Sequence, residues 1–251
     1  MREKLMQTYN PFFRNALSRD VESGAGVATY GGVAAKTLFY LLLTVVGAIG
    51  GIFLLEKNSS VWITLFIFSI ATCGLISFIA ILFPRSTMVL GSLYCLGQGL
   101  LIGVISLIFN ALIPGIVPIA ILSTIAVVLV VTALYLSSAV KVTNKFLSFL
   151  IMFALGVLIS QLLIFVCGLF LNPIVVVFEN YGISLLFSAV MVFLVTLYLF
   201  FDLENIRSVV EGRGPKYLEW YVAYGLMFTI IWLYIQILIF LVRILALSRR
   251  N

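Results

Sequence analysis

The sequence predicts an all-α integral membrane protein, a bundle of seven transmembrane helices. Three observations carry this. Of the 251 residues, 63% are hydrophobic and only 10% are charged, with a mean hydropathy of +1.25. A soluble domain carries roughly 25% charged residues, so this chain is too poor in charge to cover its own surface against water. Seven apolar runs have lengths near the roughly 20 residues that a helix needs to cross a bilayer. The runs are continuously apolar, without the alternation that marks strands of a membrane β-barrel.

Along the chain, a mixed-charge leader with several glycines covers Met1–Lys36, and its Phe12, Phe13 and Leu17 are suited to rest on a membrane surface. The membrane domain covers residues 37–251. Its expected spans are Thr37–Leu55, Val61–Phe83, Met88–Phe109, Pro114–Leu136, Phe146–Leu171, Gly182–Phe201 and Tyr221–Leu247. The sixth stays helix-compatible past the membrane edge to Val210. Breakers and charges separate the runs: Glu56-Lys57-Asn58, Pro84-Arg85, Asn110 to Pro114, Lys141 to Lys145, Asn172-Pro173 with Glu179-Asn180, and Gly212-Arg213-Gly214-Pro215.

Basic residues set the orientation. The leader holds Arg2, Lys4, Arg14, Arg19 and Lys36, the next loop only Lys57, and basic and nearly bare loops then alternate as far as Arg207, Arg213 and Lys216. The positive-inside rule places the N-terminus in the cytoplasm, and the expected location is the cell membrane. Arg249 and Arg250 follow the last run and conflict with this pattern. Either that run spans with an exceptional tail, or it re-enters and returns; its length and its marked basic start favour spanning.

Composition also excludes functions. The chain has no histidine, which removes histidine-based triads, zincins and most transition-metal sites. Cys73, Cys95 and Cys167 lie inside apolar runs without a C-x-x-C pair and read as buried free thiols. A cleavable signal peptide is not expected, because the first apolar run follows a long polar leader. The net charge of +6 reads as loops touching anionic lipid, not as nucleic-acid binding. No nucleophile–base pair or metal set is visible, so an enzyme is not expected.

Polar groups inside apolar runs are the informative ones, because hydrocarbon penalises them. Asp202 directly follows Leu199-Phe200-Phe201. On a helix it shares a face with Tyr198, Asn205 and Val209, while Glu204, Arg207 and Glu211 share the opposite face at ion-pair spacing. Asp202 is then either an interfacial acid emerging into the cytosol or a desolvated carboxylate in a cavity, able to exchange protons or bind a cation. The seventh run carries a polar stripe of Gly225, Thr229, Trp232, Gln236 and Arg243; the plain reading of Gln236 is an interhelical hydrogen bond. Gly91, Cys95, Gly99 and Gly103 recur every fourth residue beside Gln98, and Gly47 to Gly51 repeats the pattern. Small residues at that spacing let helices approach closely.

The stretch Leu197-Tyr198-Leu199-Phe200-Phe201-Asp202-Leu203-Glu204-Asn205-Ile206, followed by Trp232-Leu233-Tyr234-Ile235-Gln236-Ile237-Leu238, resembles the Bax inhibitor family, the transmembrane Bax inhibitor motif group that includes bacterial YccA-like proteins. Its bacterial branch with a longer leader is echoed by Asn10-Pro11, by Tyr30-Gly31-Gly32-Val33-Ala34-Ala35-Lys36-Thr37 and by Gly214-Pro215-Lys216-Tyr217-Leu218-Glu219-Trp220-Tyr221. The resemblance implies a seven-helix bundle with the last helix near its centre and a pH-sensitive calcium leak, in which acids of the sixth and seventh helices share a proton and an arginine latches them. By position, Asp202 matches the sixth-helix acid and Arg85 the latch. Gln236 stands where the seventh-helix acid is expected, and Gln98 where the bacterial branch often has Glu.

An amide does not titrate, so a two-acid device cannot operate at Asp202 and Gln236. Loss of one carboxylate also weakens attraction for a hard divalent cation, leaving Asp202 as the candidate calcium ligand. Two readings follow: a calcium or cation leak channel whose proton sensing is weakened or lost, and a non-conducting regulator that binds another membrane protein such as a protease. No cofactor is expected beyond the calcium ion itself.

Overall fold

The computed structural model describes residues 26–57, 67, 74–80, 82–140, 142–170 and 181–248. Six long helices account for most of them: α1 Tyr30–Lys57, α2 Thr87–Leu112, α3 Ile116–Leu136, α4 Asn144–Phe170, α5 Tyr181–Glu211 and α6 Leu218–Ser248. The described residues contain no strand, only an isolated antiparallel bridge between Val27 and Pro215. The second expected span, Val61–Phe83, falls largely outside the described residues; it is helical at 67, 74–80 and 82.

Five stretches are long and apolar enough to cross a membrane by length and composition: Tyr30–Leu54, Pro84–Leu112, Ile116–Leu136, Gly182–Glu211 and Leu218–Leu245. A shorter apolar stretch, Asn144–Val157, opens α4. Large apolar side chains stay uncovered along these helices, as at Leu122, Ile125, Leu129 and Val130 of α3. Water would penalise such a surface and hydrocarbon would not. The chain is a multi-pass membrane protein.

Helix ends follow local chemistry. The Thr29 hydroxyl accepts from the Gly32 amide at 3.0 Å and starts α1 at Tyr30, ahead of the apolar run at Thr37. The stretch 30–36, read as leader, is therefore helix. Pro84–Ser86 forms a single 3-10 turn before α2. Gly115 takes a left-handed φ of 85° before α3, its amide held by the Asn110 side chain at 3.0 Å. At the end of α5, Gly214 N–H donates to the Val209 carbonyl at 2.8 Å and Arg213 N–H to Val210 at 3.1 Å. That is a Schellman closure, with Arg213 at φ 53° in the position glycine usually holds.

The chain divides into two compact units, Met1–Leu107 with Asp202–Phe228, and Ile108–Phe201 with Thr229–Asn251. In the first, α1 packs on α2 through the predicted small residues. A Cβ on Gly99 would overlap the Thr44 carbonyl, one on Gly103 that of Ala48, and one on Gly47 that of Leu96. Only glycine permits this approach. In the second, Leu150, Met191 and Leu194 are buried among Phe153, Phe187, Tyr198 and Trp232.

Candidate functional site

Asp202 belongs to the extended end of α5. It is 7% exposed, and its Oδ2 is sealed from solvent. The predicted division of faces appears in part: Val209 is buried like Asp202, and Arg207 and Glu211 are exposed and paired at 3.0 Å, whereas Asn205 and Glu204, expected on opposite faces, are both half-buried.

What lies against Asp202 is the backbone of α6. A Cβ placed on Gly225 would stand 3.6 Å from Asp202 Oδ1, so the acid rests on the first residue of the predicted polar stripe. The same turn of α6 meets α2. The Tyr94 ring lies edge-on to Tyr224 at 5.2 Å and stacks on Phe228 at 5.6 Å, and the Tyr224 hydroxyl is 2.9 Å from Ser77 Oγ. Gln98, buried on α2, lies one helical turn beyond Tyr94 and so on the same face. The stretch Tyr224–Phe228 thus gathers an acid, an amide-bearing helix face and an aromatic cluster.

Arg85 sits on the 3-10 turn before α2. It is exposed, with its guanidinium over the Tyr217 ring at 5.3 Å. The turn is held by Thr87, whose hydroxyl donates to the Pro84 carbonyl at 2.7 Å and whose own carbonyl accepts from the Tyr40 hydroxyl at 2.6 Å. Gln236 belongs to the second unit and is half-buried. There the rest of the stripe is engaged as well: the Trp232 ring packs on Tyr198 at 5.9 Å, and Arg243 donates to the Ser184 carbonyl at 2.5 Å. Among the described residues no group of three His, Cys, Asp or Glu side chains that could hold a metal ion is present.

The structure adds a polar cluster that the helical-face reading did not single out. Glu219, in the first turn of α6, is 1% exposed. Its carboxylate accepts from the Thr29 amide at 2.8 Å and the Thr29 hydroxyl at 3.2 Å, and pairs with the Lys36 ammonium. Lys36 also lies over the Trp220 ring at 5.1 Å. In a capping box the residue three positions into a helix returns to the amide of the capping residue. Here that residue is Gly32, and Glu219 does the work from 190 residues away. A Cβ on Gly32 would collide with the Glu219 carboxylate. Nothing within a helical turn of Glu219 in the sequence signals this pairing.

The profile of the family described as Bax inhibitor 1 like matches residues 10–246. The chain belongs to the Bax inhibitor 1 family. Neither the curated proteins nor the solved structures gave a match. As a Bax inhibitor 1 like protein, the chain places the acid, the polar stripe and both motif segments quoted for the resemblance inside the matched region.

Proposed function

We propose that this Bax inhibitor 1 like protein is a cation leak pathway of the cell membrane, with calcium as cargo and Asp202 as the carboxylate a passing ion meets. The fold this reading assumes is the seven-helix bundle with α6 near its centre and the N-terminus in the cytoplasm. One observation supports it above the others: Asp202 is buried against Gly225, where α6 carries no side chain to fill the space beside the acid. Burying an acid among apolar helices is costly, and membrane proteins keep such groups on ion or proton routes.

With amides at 98 and 236, the sequence positions where acids are expected, Asp202 suits brief contact with a cation more than tight retention, because calcium takes 6–8 oxygen ligands at a stable site. Those amides do not titrate, so the two-acid proton device of the family is absent and flux depends weakly on pH near neutrality. The test is calcium uptake into proteoliposomes. Wild type passes calcium and Asp202→Ala loses most of the flux, while Asp202→Asn separates charge from volume. Absence of uptake in wild type at every pH near neutrality rejects the leak. If crosslinking in native membrane then captures a stoichiometric membrane-protein partner such as a protease, the regulator reading, which the amide at 236 favours, takes its place.

A further inference from the structure

The Glu219 cluster lies in the same unit as Asp202, on the same helix as the residue that Asp202 rests against. Glu219 and Gly225 are about 9 Å apart along the axis of α6, at 1.5 Å per residue. Whatever fixes the first turn of α6 therefore fixes the register of Gly225 beneath the acid.

Two sets of bonds do this. The segment before α1 straps onto the loop before α6: Ala28 N–H donates to the Gly214 carbonyl and Lys216 N–H to Gly26, each at 2.8 Å. Ala28 is buried there at 3% exposure. Glu219 then ties the strap to both helices, capping α1 through Thr29 and pairing with Lys36. Lys36 lies on the stem of α1, and its side chain is 13% exposed. The Trp220 ring closes the cluster against Tyr40 at 5.5 Å. The cluster therefore holds the N-terminal strap, α1 and the start of α6 as one body.

We infer that Glu219 is a positioning residue for the Asp202 site: through Thr29 and Lys36 it locks the strap before α1 to the first turn of α6, and this lock keeps the Asp202 carboxylate covered. The inference rests on the proposed role of Asp202, but its structural content does not need ion flux to be tested. A buried ion pair broken on one side leaves a charge without compensation, so opening the lock should free both partners together.

The experiment uses the full chain in detergent or nanodiscs, with two readouts. Hydrogen exchange at Thr29, whose amide Glu219 accepts from, and at Gly32, whose amide the Thr29 hydroxyl accepts from, reports the cap; labelling of Asp202 by a water-soluble carbodiimide, read by mass spectrometry, reports access to the acid. Glu219→Ala should speed exchange at these amides by about tenfold, as expected for loss of a cap and its ion pair, and should raise labelling of Asp202. Glu219→Gln keeps an acceptor for the Thr29 amide but loses the charge, so exchange stays close to wild type while Asp202 labelling rises. The Lys36→Glu, Glu219→Lys double variant restores the pair and should bring labelling back toward wild type. Unchanged Asp202 labelling in Glu219→Ala, with exchange accelerated, overturns the positioning role and leaves only a cap. Unchanged exchange overturns the lock itself. Where Glu219→Ala does not fold, Glu219→Gln and the double variant decide alone: labelling that fails to rise in the first, or fails to return in the second, overturns the inference. Wild type without calcium flux rejects the leak but leaves these labelling results standing.

Discussion

The two units of the chain satisfy their polar side chains in different ways. In the unit of Leu150 and Met191, hydroxyls turn back onto their own helices: Thr124 to Ala120, Thr132 to Val128, Ser160 to Val157 and Thr196 to Val192, all within 2.7–2.8 Å. Such bonds select no partner helix. Arg243 also reaches the Ser184 carbonyl on another helix. In the unit of Asp202, Thr37, Thr44 and Ser92 make the same local bonds, but polar groups also reach across the sequence: Thr29 and Lys36 to Glu219, Ser77 to Tyr224, and Tyr40 to Thr87. Its Gly47, Gly51, Gly99 and Gly103 face neighbouring backbone, whereas Gly156 of the other unit has nothing near its missing Cβ. The unit of Asp202 adds pair-specific polar contacts to its local bonds, and the described contacts of the other lean more on apolar packing, which lipid neither rewards nor opposes strongly.

The largest effect should come from pitting the two kinds of glycine against each other. Gly99→Ala drives a Cβ into the Thr44 carbonyl and should destabilise by about 3 kcal/mol, at the upper end of overpacking costs. Gly156→Ala meets open space and should be neutral or stabilising by up to about 1 kcal/mol, because alanine favours helix over glycine. Thermal unfolding in one detergent compares them directly. Equal losses would break the contrast between the units.

A smaller effect separates the hydroxyls. Tyr40→Phe removes the buried bond to the Thr87 carbonyl and should cost about 1 kcal/mol, plus whatever the orphaned carbonyl adds. Thr132→Val, in a helix that already bonds its own backbone, should change unfolding by no more than a few tenths of that. A loss at Thr132 matching that at Tyr40 would show that local bonds also hold helices together. The smallest effect belongs to the exposed ion pair at the end of α5. Arg207→Gln loses a pair with Glu211 that is about half exposed at both ends, worth about 0.3–0.5 kcal/mol, and the loss should vanish at high salt.

Parts of the candidate site were legible before any coordinates. Asp202 was visible as an acid abutting an apolar run, and helical periodicity put Arg207 and Glu211 on the outer face, where they pair. The close-packing glycines were visible from their spacing alone. Glu219 was not, because its meaning depends on Thr29 and Lys36, and nothing within a helical turn of Glu219 announces them. The segments 30–37 and 214–221, which hold Lys36 and Glu219, are in the sequence only separate echoes of a family pattern; in the structure they meet.

By itself, the sequence determined that this is a multi-pass helical membrane protein. In hydrocarbon every backbone polar group must find its partner within its own segment, so a span is a local property that a window of side chains decides. Only the tertiary structure decided which polar groups meet: that Glu219 caps a helix starting near the other end of the chain, and that Asp202 lies covered by a glycine. Those choices depend on which helix faces come together, and the energy that selects them appears only once distant segments share a dry interface.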